Sequence, residues 1–556
     1  MIRPEKLFRM QAPSLDQAHQ RLSVIILLFA AGFLVVAARA VDLGVLQYAG
    51  TQSDRPDRQA TQLWERADIV DRRGTVLATT VTAQSLYVTP ARLQRAEATA
   101  RALAGILPDL SASDVMERFR RAEDRRLVHR HLTPAQVSAV NNLGEPGLNF
   151  EPESLRLYPN GRLAAHVLGY TGVDNRGLAG VEHFFDRRLT DPAQAPRPLR
   201  LSLDLRVQHA ATDELRRAMT EFRAKGAAAL VMDVHTGELL ALVSLPDFNA
   251  NRYDRAGDEQ RRNRATLSTY ELGSALKTIT VAAALDKGVV DLDDRMDARK
   301  PIRIGGFTIH DDHAKKRYLS VPEVYAFSSN IGAARLADAL GTERQRRFFD
   351  QAGLLTPTNV EVPEIGRPQY PTQWGRIHTM TAAFGHGIAM TPVNLAQAMA
   401  AMVNGGRLHP ATLVADPGTD ERHARQVISP RTSATIRRLM RLAVVKGTGS
   451  YADVPGFKVA GKTGTAEKAA KGGYDPDRLI SSFTGVFPAD RPRFLVFAML
   501  DEPQGTKQTA NFATGGWVAA PTVGNIIKRV GALMGVEPEP RDTDFIRDAA
   551  LYVQED

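Results

Sequence analysis

The apolar residues of this chain fall into stretches with three different periods. The first stretch has no period at all: "LSVIILLFAAGFLVVAA" (22–38) runs 17 residues without a charge and continues past Arg39 to Val41. A helix needs about 17–25 such residues to cross a bilayer. Arg39 sits where a long side chain can reach back to the interface. Arg3, Lys6, Arg9 and Arg21 precede the run, so the positive-inside rule leaves 1–21 as a cytoplasmic tail. The reading is a transmembrane helix over 22–42 with everything after it outside. Ala38-Arg39-Ala40 resembles a signal-peptidase site, but the apolar run exceeds the usual length of about 7–15 residues. A buried core helix would show a polar face, and none is marked.

Period-2 and period-3.6 patterns then alternate. "RADIVDRRGTVLATTVTAQSLYVTP" (66–90) predicts strands broken by a tight turn at Arg73-Gly74, and 93–142 has helical spacing throughout. Residues 156–185, punctuated by Pro and Gly, predict turns and short strands. "DPAQAPRPLR" (191–200), with three prolines in ten residues, reads as a linker between a first domain over 43–195 and a second over 200–536. The second opens with a strand running into an amphipathic helix capped by Asp204. A hairpin of two apolar strands joined around "HTGE" follows (227–246), then a nearly uncharged helix from 274 to 285. "FLVFAML" (494–500) is a buried strand and 522–534 a helix to pack on it. Strands at both ends with helices between predict an α+β fold, one sheet closed by the two ends of the domain. The charged segment 537–556 reads as a loose tail.

Composition narrows the picture little: 43% hydrophobic and 24% charged residues are those of a globular protein. The formal charge of +9 comes from short groups such as "RRNR" (261–264), mostly mixed with acids. That is the pattern of solvated faces; it would also suit anionic headgroups or acidic glycans, and does not demand nucleic acid. With no cysteine, disulfides, thiolate nucleophiles and thiolate metal sites are excluded.

The chemistry hinges on "GFKVAGKT" (456–463), which satisfies the P-loop pattern while its last two residues begin "KTGT". A phosphate cradle needs a buried strand ahead of it, small flexible residues within it and a helix behind. Here a loop-like "KGTGSYADVP" precedes, Phe457 and Val459 are bulky, and Gly-Gly and Pro follow before a helix could lengthen. Phe457, Val459, Gly461, Thr463 and Thr465 alternate as one face of a strand, with Lys462 on the other. The P-loop match is a coincidence of spacing.

Two other strings gain weight from that strand. In Ser274-Ala275-Leu276-Lys277 the hydroxyl and amine lie one helical turn apart. A serine becomes a nucleophile when a neighbouring base takes its proton, and a lysine can be that base when burial lowers its pKa. Ser328-Ser329-Asn330 alone is a good helix cap. In the order S-x-x-K, S-x-N, K-T-G, the three are the set found in penicillin-binding proteins and class A β-lactamases.

The chain resembles the class B penicillin-binding proteins, the monofunctional peptidoglycan transpeptidases, and most of all their cell-division (septal) branch. The likeness runs from residue 22 to about 535. It includes "RLYPNGRLAAHVLGYTGVDNRGLAGVE", "RNRATLSTYELGSALK", "FGHGIAMTPVNLAQA" and "GGWVAAPTVGNI". The resemblance implies that Ser274 attacks the carbonyl between the two terminal D-alanines of a stem peptide, with Lys277 as base. Ser328 would relay a proton to the leaving amine beside Lys462, and Asn330 would hold the substrate amide and position Lys277. Thr463, Gly464 and Thr465 would bind the terminal carboxylate, and the N–H groups of Ser274 and Thr465 would form an oxyanion hole. It implies no cofactor or metal, β-lactams as covalent inhibitors, and a single-pass anchor in the bacterial inner membrane with an extracytoplasmic catalytic domain. The first domain would be a β-rich pedestal of the dimerisation type, docking a SEDS-type glycan polymerase and other divisome proteins. Two departures stand out: Leu272 and Thr278 occupy positions where family members commonly have Pro. The motifs do not distinguish water from an amine as acceptor, so a D,D-carboxypeptidase or an elongation-type transpeptidase is the alternative. A β-lactamase would need an E-x-x-x-N base loop, and "EVPEIGRPQY" (361–370) lacks the Asn.

Overall fold

The computed structural model describes residues 23–24, 27–34, 36 and 66–554, except 122–123, 195–196, 416–423, 471–472 and 540–543. The chain divides into two units, Met1–Leu63 and Trp64–Asp556. In the first, residues 23–24, 27–34 and 36 are helical and exposed. The predicted tail 1–21 and the rest of the predicted span 22–42 lie outside the described residues. Among the described residues, no helix is long and apolar enough to cross a membrane.

The second unit begins with a sheet built around one long strand, Val76–Val88. Leu148–Leu157 pairs antiparallel along one edge; Arg126–Leu132 and Ile69–Val70 share the other. The predicted turn before it holds: Gly74 takes φ +89°, and Asp71 accepts from the N–H groups of Arg73 and Thr75. The prediction of helix throughout 93–142 needs correction at Arg126–Leu132, a strand between the helices Ala112–Arg120 and Pro134–Asn141. Pairing with residues 84–88 buries Val128 and Leu132 against Leu86, Leu103 and Phe119. Tertiary pairing there overrides the local spacing. Beyond the Pro-rich segment, Leu199–Arg200 pairs parallel with Ile69–Val70, so the chain leaves this sheet by adding a strand to it.

The larger sheet is antiparallel, in the order Ala460–Ala470, Gly473–Phe487, Phe494–Asp501, Gly226–Asp233, Leu239–Leu245. The early hairpin thus lies beside the last strand, as predicted. Alternate residues of Gly226–Asp233 enter different cores. Ala227, Ala229 and Val231 pack with Val207 and Ile526, from the helices Leu205–Glu221 and Ala519–Leu533. Ala228, Leu230 and Met232 pack with Ile279, Met399 and Leu439, from the helices Lys277–Asp286, Pro392–Val403 and Pro430–Val445. Burial on both faces explains why these strands read as unbroken apolar runs. The helix Lys277–Asp286 is held inside this second core, which places an amine where water cannot reach it.

The C-terminal segment is not loose where it is described. Ile546 and Ala549 are buried in the core, the Tyr552 carbonyl accepts from Ser320 Oγ at 2.6 Å, and Gln554 N–H donates to Glu323 Oε1 at 2.9 Å. Apolar residues spaced through a charged string docked it.

Candidate active site

The strand Ala460–Ala470 pairs on one side only, with Gly473–Phe487. Its free edge lies against the 3-10 turn Gly273–Leu276, and the fit depends on glycine. A Cβ on Gly273, whose φ is +55°, would sit 2.1 Å from the Thr465 carbonyl oxygen. One on Gly464 would sit 2.3 Å from the Leu272 carbonyl. The unbranched backbone lets the strand edge approach the turn that carries Ser274. Gly456 and Lys458 lie in an irregular segment and Gly461, Lys462 and Thr463 in this buried strand, which continues to Ala470. No helix follows, so the P-loop reading fails on geometry.

Lys277 opens the helix Lys277–Asp286 and is fully buried. Its Nζ lies 2.8 Å from Ser274 Oγ, 2.7 Å from Asn330 Oδ1 and 3.1 Å from Ser328 Oγ, and also contacts the Ser328 carbonyl. Burial pushes its pKa down to about 7, against the opposing pull of Asp311 and Asp312. A neutral amine has two N–H bonds and one lone pair. Asn330 Oδ1 and the Ser328 carbonyl can only accept, so they take the two N–H bonds and leave the lone pair for a hydroxyl. Asn330 is itself oriented by donating from Nδ2 to the His310 carbonyl at 3.0 Å.

Ser328 sits between two helices, Val321–Ala326 and Asn330–Leu340, with φ +58°, a left-handed conformation that a non-glycine residue adopts at a cost of about 1–3 kcal/mol. This backbone presents both its carbonyl and its hydroxyl to Lys277. Asp311 braces the junction: it accepts from Ser329 Oγ at 2.8 Å and Ile331 N–H at 2.9 Å. Ser329 also caps its helix through Gly332 N–H, as the sequence predicts.

Lys462 approaches the same hydroxyl from the sheet, with Nζ 2.9 Å from Ser328 Oγ. It too is fully buried, and burial followed by the positive charge of Lys277 holds its pKa well below the ordinary lysine value. Its Nζ lies 5.9 Å over the Tyr325 ring. Strict alternation put Lys462 and Thr463 on opposite faces, yet Lys462 Nζ bends back to 3.2 Å from Thr463 Oγ1. Thr463 Oγ1 also meets Thr448 Oγ1 at 2.8 Å, and Thr465 Oγ1 accepts from Gly515 N–H at 3.0 Å. Ser274, Lys277, Ser328, Asn330, Lys462, Thr463 and Thr465 therefore meet in one cleft, with Gly464 at the close approach.

Two contributors, Asp311 and Tyr325, escaped the sequence reading, and the two departures it noted find their partners here. Asp311 lies 18 residues before its partner Ser329. Tyr325 donates or accepts with Thr278 Oγ1 at 2.8 Å, so the unusual Thr278 ties the nucleophile helix to the ring beneath Lys462. Leu272, the other departure, is buried with its carbonyl against Gly464. Neither Asp311 nor Tyr325 carries a local signal, because each acts only once distant segments meet.

Comparison with known proteins is informative. Residues 227–528 match the family model "Penicillin binding protein transpeptidase domain", and residues 62–190 match "Penicillin-binding Protein dimerisation domain". The chain is 43% identical over 491 residues to the "Probable peptidoglycan D,D-transpeptidase FtsI" of Caulobacter vibrioides, covering 86% of this chain and 83% of the relative. It is 30% identical over 511 residues to the "Peptidoglycan D,D-transpeptidase FtsI" of Escherichia coli, with coverage of 86% and 85%. Among solved structures, penicillin-binding protein 3 of Mycobacterium tuberculosis complexed with ampicillin is similar, with a TM-score of 0.67 and 26% identity over 86% of this chain and 98% of that one.

Proposed function

The chain belongs to the penicillin-binding protein transpeptidase family, and from that membership we infer that it is a peptidoglycan D,D-transpeptidase of cell-wall synthesis, acting through an acyl-enzyme on Ser274. The observation that carries the residue assignment is the Ser274 Oγ to Lys277 Nζ distance of 2.8 Å, with an amine whose pKa burial brings to about 7.

In the first half-reaction the Lys277 lone pair takes the Ser274 proton as Oγ attacks the carbonyl between the terminal D-alanines. The N–H groups of Ser274 and Thr465 receive the developing oxyanion, a contribution of about 3–4 kcal/mol per donor. Ser328, 3.1 Å from Lys277 and 2.9 Å from Lys462, passes the proton to the leaving amine, and D-alanine departs. Lys462, Thr463 and Thr465 hold the terminal carboxylate. An amine from a neighbouring stem peptide then attacks the ester, and the same relay runs backwards. A β-lactam presents a strained amide in place of the D-Ala-D-Ala bond and acylates Ser274.

The septal role follows the two FtsI relatives. The anchor over 22–42, the inner-membrane location with the catalytic domain outside, and docking of a SEDS-type polymerase and other divisome proteins on the pedestal belong to the same reading. They rest on the uncharged run, the basic residues before it and the family likeness.

A fluorescent penicillin will label the protein, and Ser274→Ala will carry no label; an adduct on the alanine variant would move the nucleophile elsewhere. Lipid-linked donor will yield cross-linked dimer. Release of D-alanine without dimer would make the enzyme a carboxypeptidase.

A further inference from the structure

Three residues before the nucleophile, Glu271 gathers groups that the steps above leave unused. Its Oε1 accepts from the Tyr474 hydroxyl at 2.9 Å and from Gly387 N–H at 3.2 Å. Its Oε2 is shielded from solvent yet makes no hydrogen bond; His386 Nδ1 stands 3.8 Å away. The His386 ring lies 4.0 Å from that of Tyr474. Burial raises the Glu271 pKa and lowers that of His386, which disfavours the imidazolium that would compensate the carboxylate. No Lys or Arg among the described residues is ion-paired with Glu271.

This cluster adjoins the reaction. Glu271 and Ser274 are separated by at most about 10 Å of extended chain. The loop carrying His386 is fitted to the intervening backbone, since a Cβ on Gly385 would sit 2.2 Å from the Gly273 carbonyl. His386 lies between Gly385 (φ +81°) and Gly387 (φ +74°), and its side chain is 36% exposed, so the ring that covers Oε2 also borders solvent.

We propose that Glu271 is the docking point for the acceptor's ammonium group, entering in place of the His386 ring, and the first recipient of its proton. The inference rests on the transpeptidase reading and adds to it. An alkyl amine, with an ordinary pKa of about 10.4, arrives protonated and has no lone pair to attack an ester. The Ser328–Lys277 relay cannot take this proton, because it must stay free for the one shed when the amine attacks. A partly buried carboxylate with no paired Lys or Arg among the described residues attracts the cation, and the burial that lowers Lys277 lowers an incoming amine while raising Glu271. Transfer within the cleft is therefore easier than in water.

The protons balance. Ammonium and carboxylate become amine and carboxylic acid; the amine nitrogen bonds to the acyl carbon. Its second proton passes through Ser328 to Lys277, and the carbon–Ser274 Oγ bond breaks as Oγ takes that proton back. Glu271 returns its own proton to water.

The test is Glu271→Gln, which keeps an acceptor oxygen for Tyr474 and Gly387 but cannot take a proton. Labelling by fluorescent penicillin reports acylation, and its absence in the unaltered protein would sink the transpeptidase reading itself. In the variant we expect labelling within about threefold of the unaltered rate. Cross-linking to a stem-peptide amine should fall about 100-fold, with hydrolysed product in its place. With hydroxylamine, already neutral at pH 7, the loss should shrink to under about threefold. Glu271→Asp, which keeps the base, should recover at least about a tenth of the cross-linking. Loss of labelling in step with cross-linking, an equal loss with both amines, or an aspartate variant no better than glutamine would overturn the proposal.

Discussion

Two regions of this protein bury cations, and they do so in opposite ways. In the domain that matches the dimerisation model, Arg66 and Arg156 are buried against a shared carboxylate. Glu182 Oε2 accepts from Arg66 Nε at 2.5 Å and Oε1 from Arg156 Nε at 2.8 Å, with Asp186 2.7 Å from Arg66 and Tyr158 3.3 Å from Glu182. In the cleft, Lys277 and Lys462 are equally buried, but their hydrogen-bond partners are hydroxyls, carbonyls and an amide. The guanidinium remains charged in any protein, so it must be paired. The ammonium can shed its proton, so an unpaired site converts it into a base. Pairing gives the first cluster a structural role; the absence of a paired carboxylate among the described residues gives the second its chemistry.

Substitutions that exchange these characters break the comparison or sharpen it. Lys277→Met removes the base without stranding an opposite charge. Acylation by penicillin should fall about 1,000-fold while the cooperative unfolding transition survives. Retained acylation would mean that another group deprotonates Ser274. Glu182→Gln does the reverse: two guanidiniums lose their shared carboxylate, at a cost of about 3–5 kcal/mol read from the denaturant midpoint. The molecules that remain folded should acylate at the unaltered rate. A midpoint shifted by less than about 1 kcal/mol would show that the pair is dispensable.

The pH dependence separates the clusters further. Lys277 has a folded-state pKa of about 7, below its ordinary value of 10.5. Acylation should therefore rise about tenfold per unit as pH climbs toward 7 and level off above it. Between about 7 and 10.5 the unfolded chain holds a proton that the folded one has shed, so stability should rise with pH through that window. In Lys277→Met this slope should be smaller; an unchanged slope would assign it to other groups.

The smallest effect concerns the C-terminal segment. Truncation after residue 543 removes buried Ile546 and Ala549 and the bonds to Ser320 and Glu323 on the helix before Ser328. A loss of about 2 kcal/mol in stability is expected by denaturation. No change would mean that the segment is loose in solution.

The cleft was largely legible in the sequence because its parts are short and locally encoded. S-x-x-K places two groups one turn apart on a helix, S-x-N is a cap, and the alternation through 457–465 becomes a strand from Ala460 onward. What could not be read was how they face one another. The backbone of Ser328, the return of Lys462 toward Thr463 and the brace from Asp311 all depend on contacts between distant segments. Residues 126–132 of the dimerisation-type domain defy the helical spacing around them for a related reason, since pairing with 84–88 outweighs it. The C-terminal segment was judged by its charge, although Ile546 and Ala549 were the informative positions.

The claim beneath both halves of the comparison is that Lys277 sheds its proton near neutral pH. Titration of the intact protein by NMR, with isotope-labelled lysine and the Lys277 signal assigned by its loss in Lys277→Met, reads this directly. A midpoint near 7 is the predicted result. A midpoint of 10 or above would mean that Lys277 stays a cation in the resting enzyme, and the acylation step described here would be wrong.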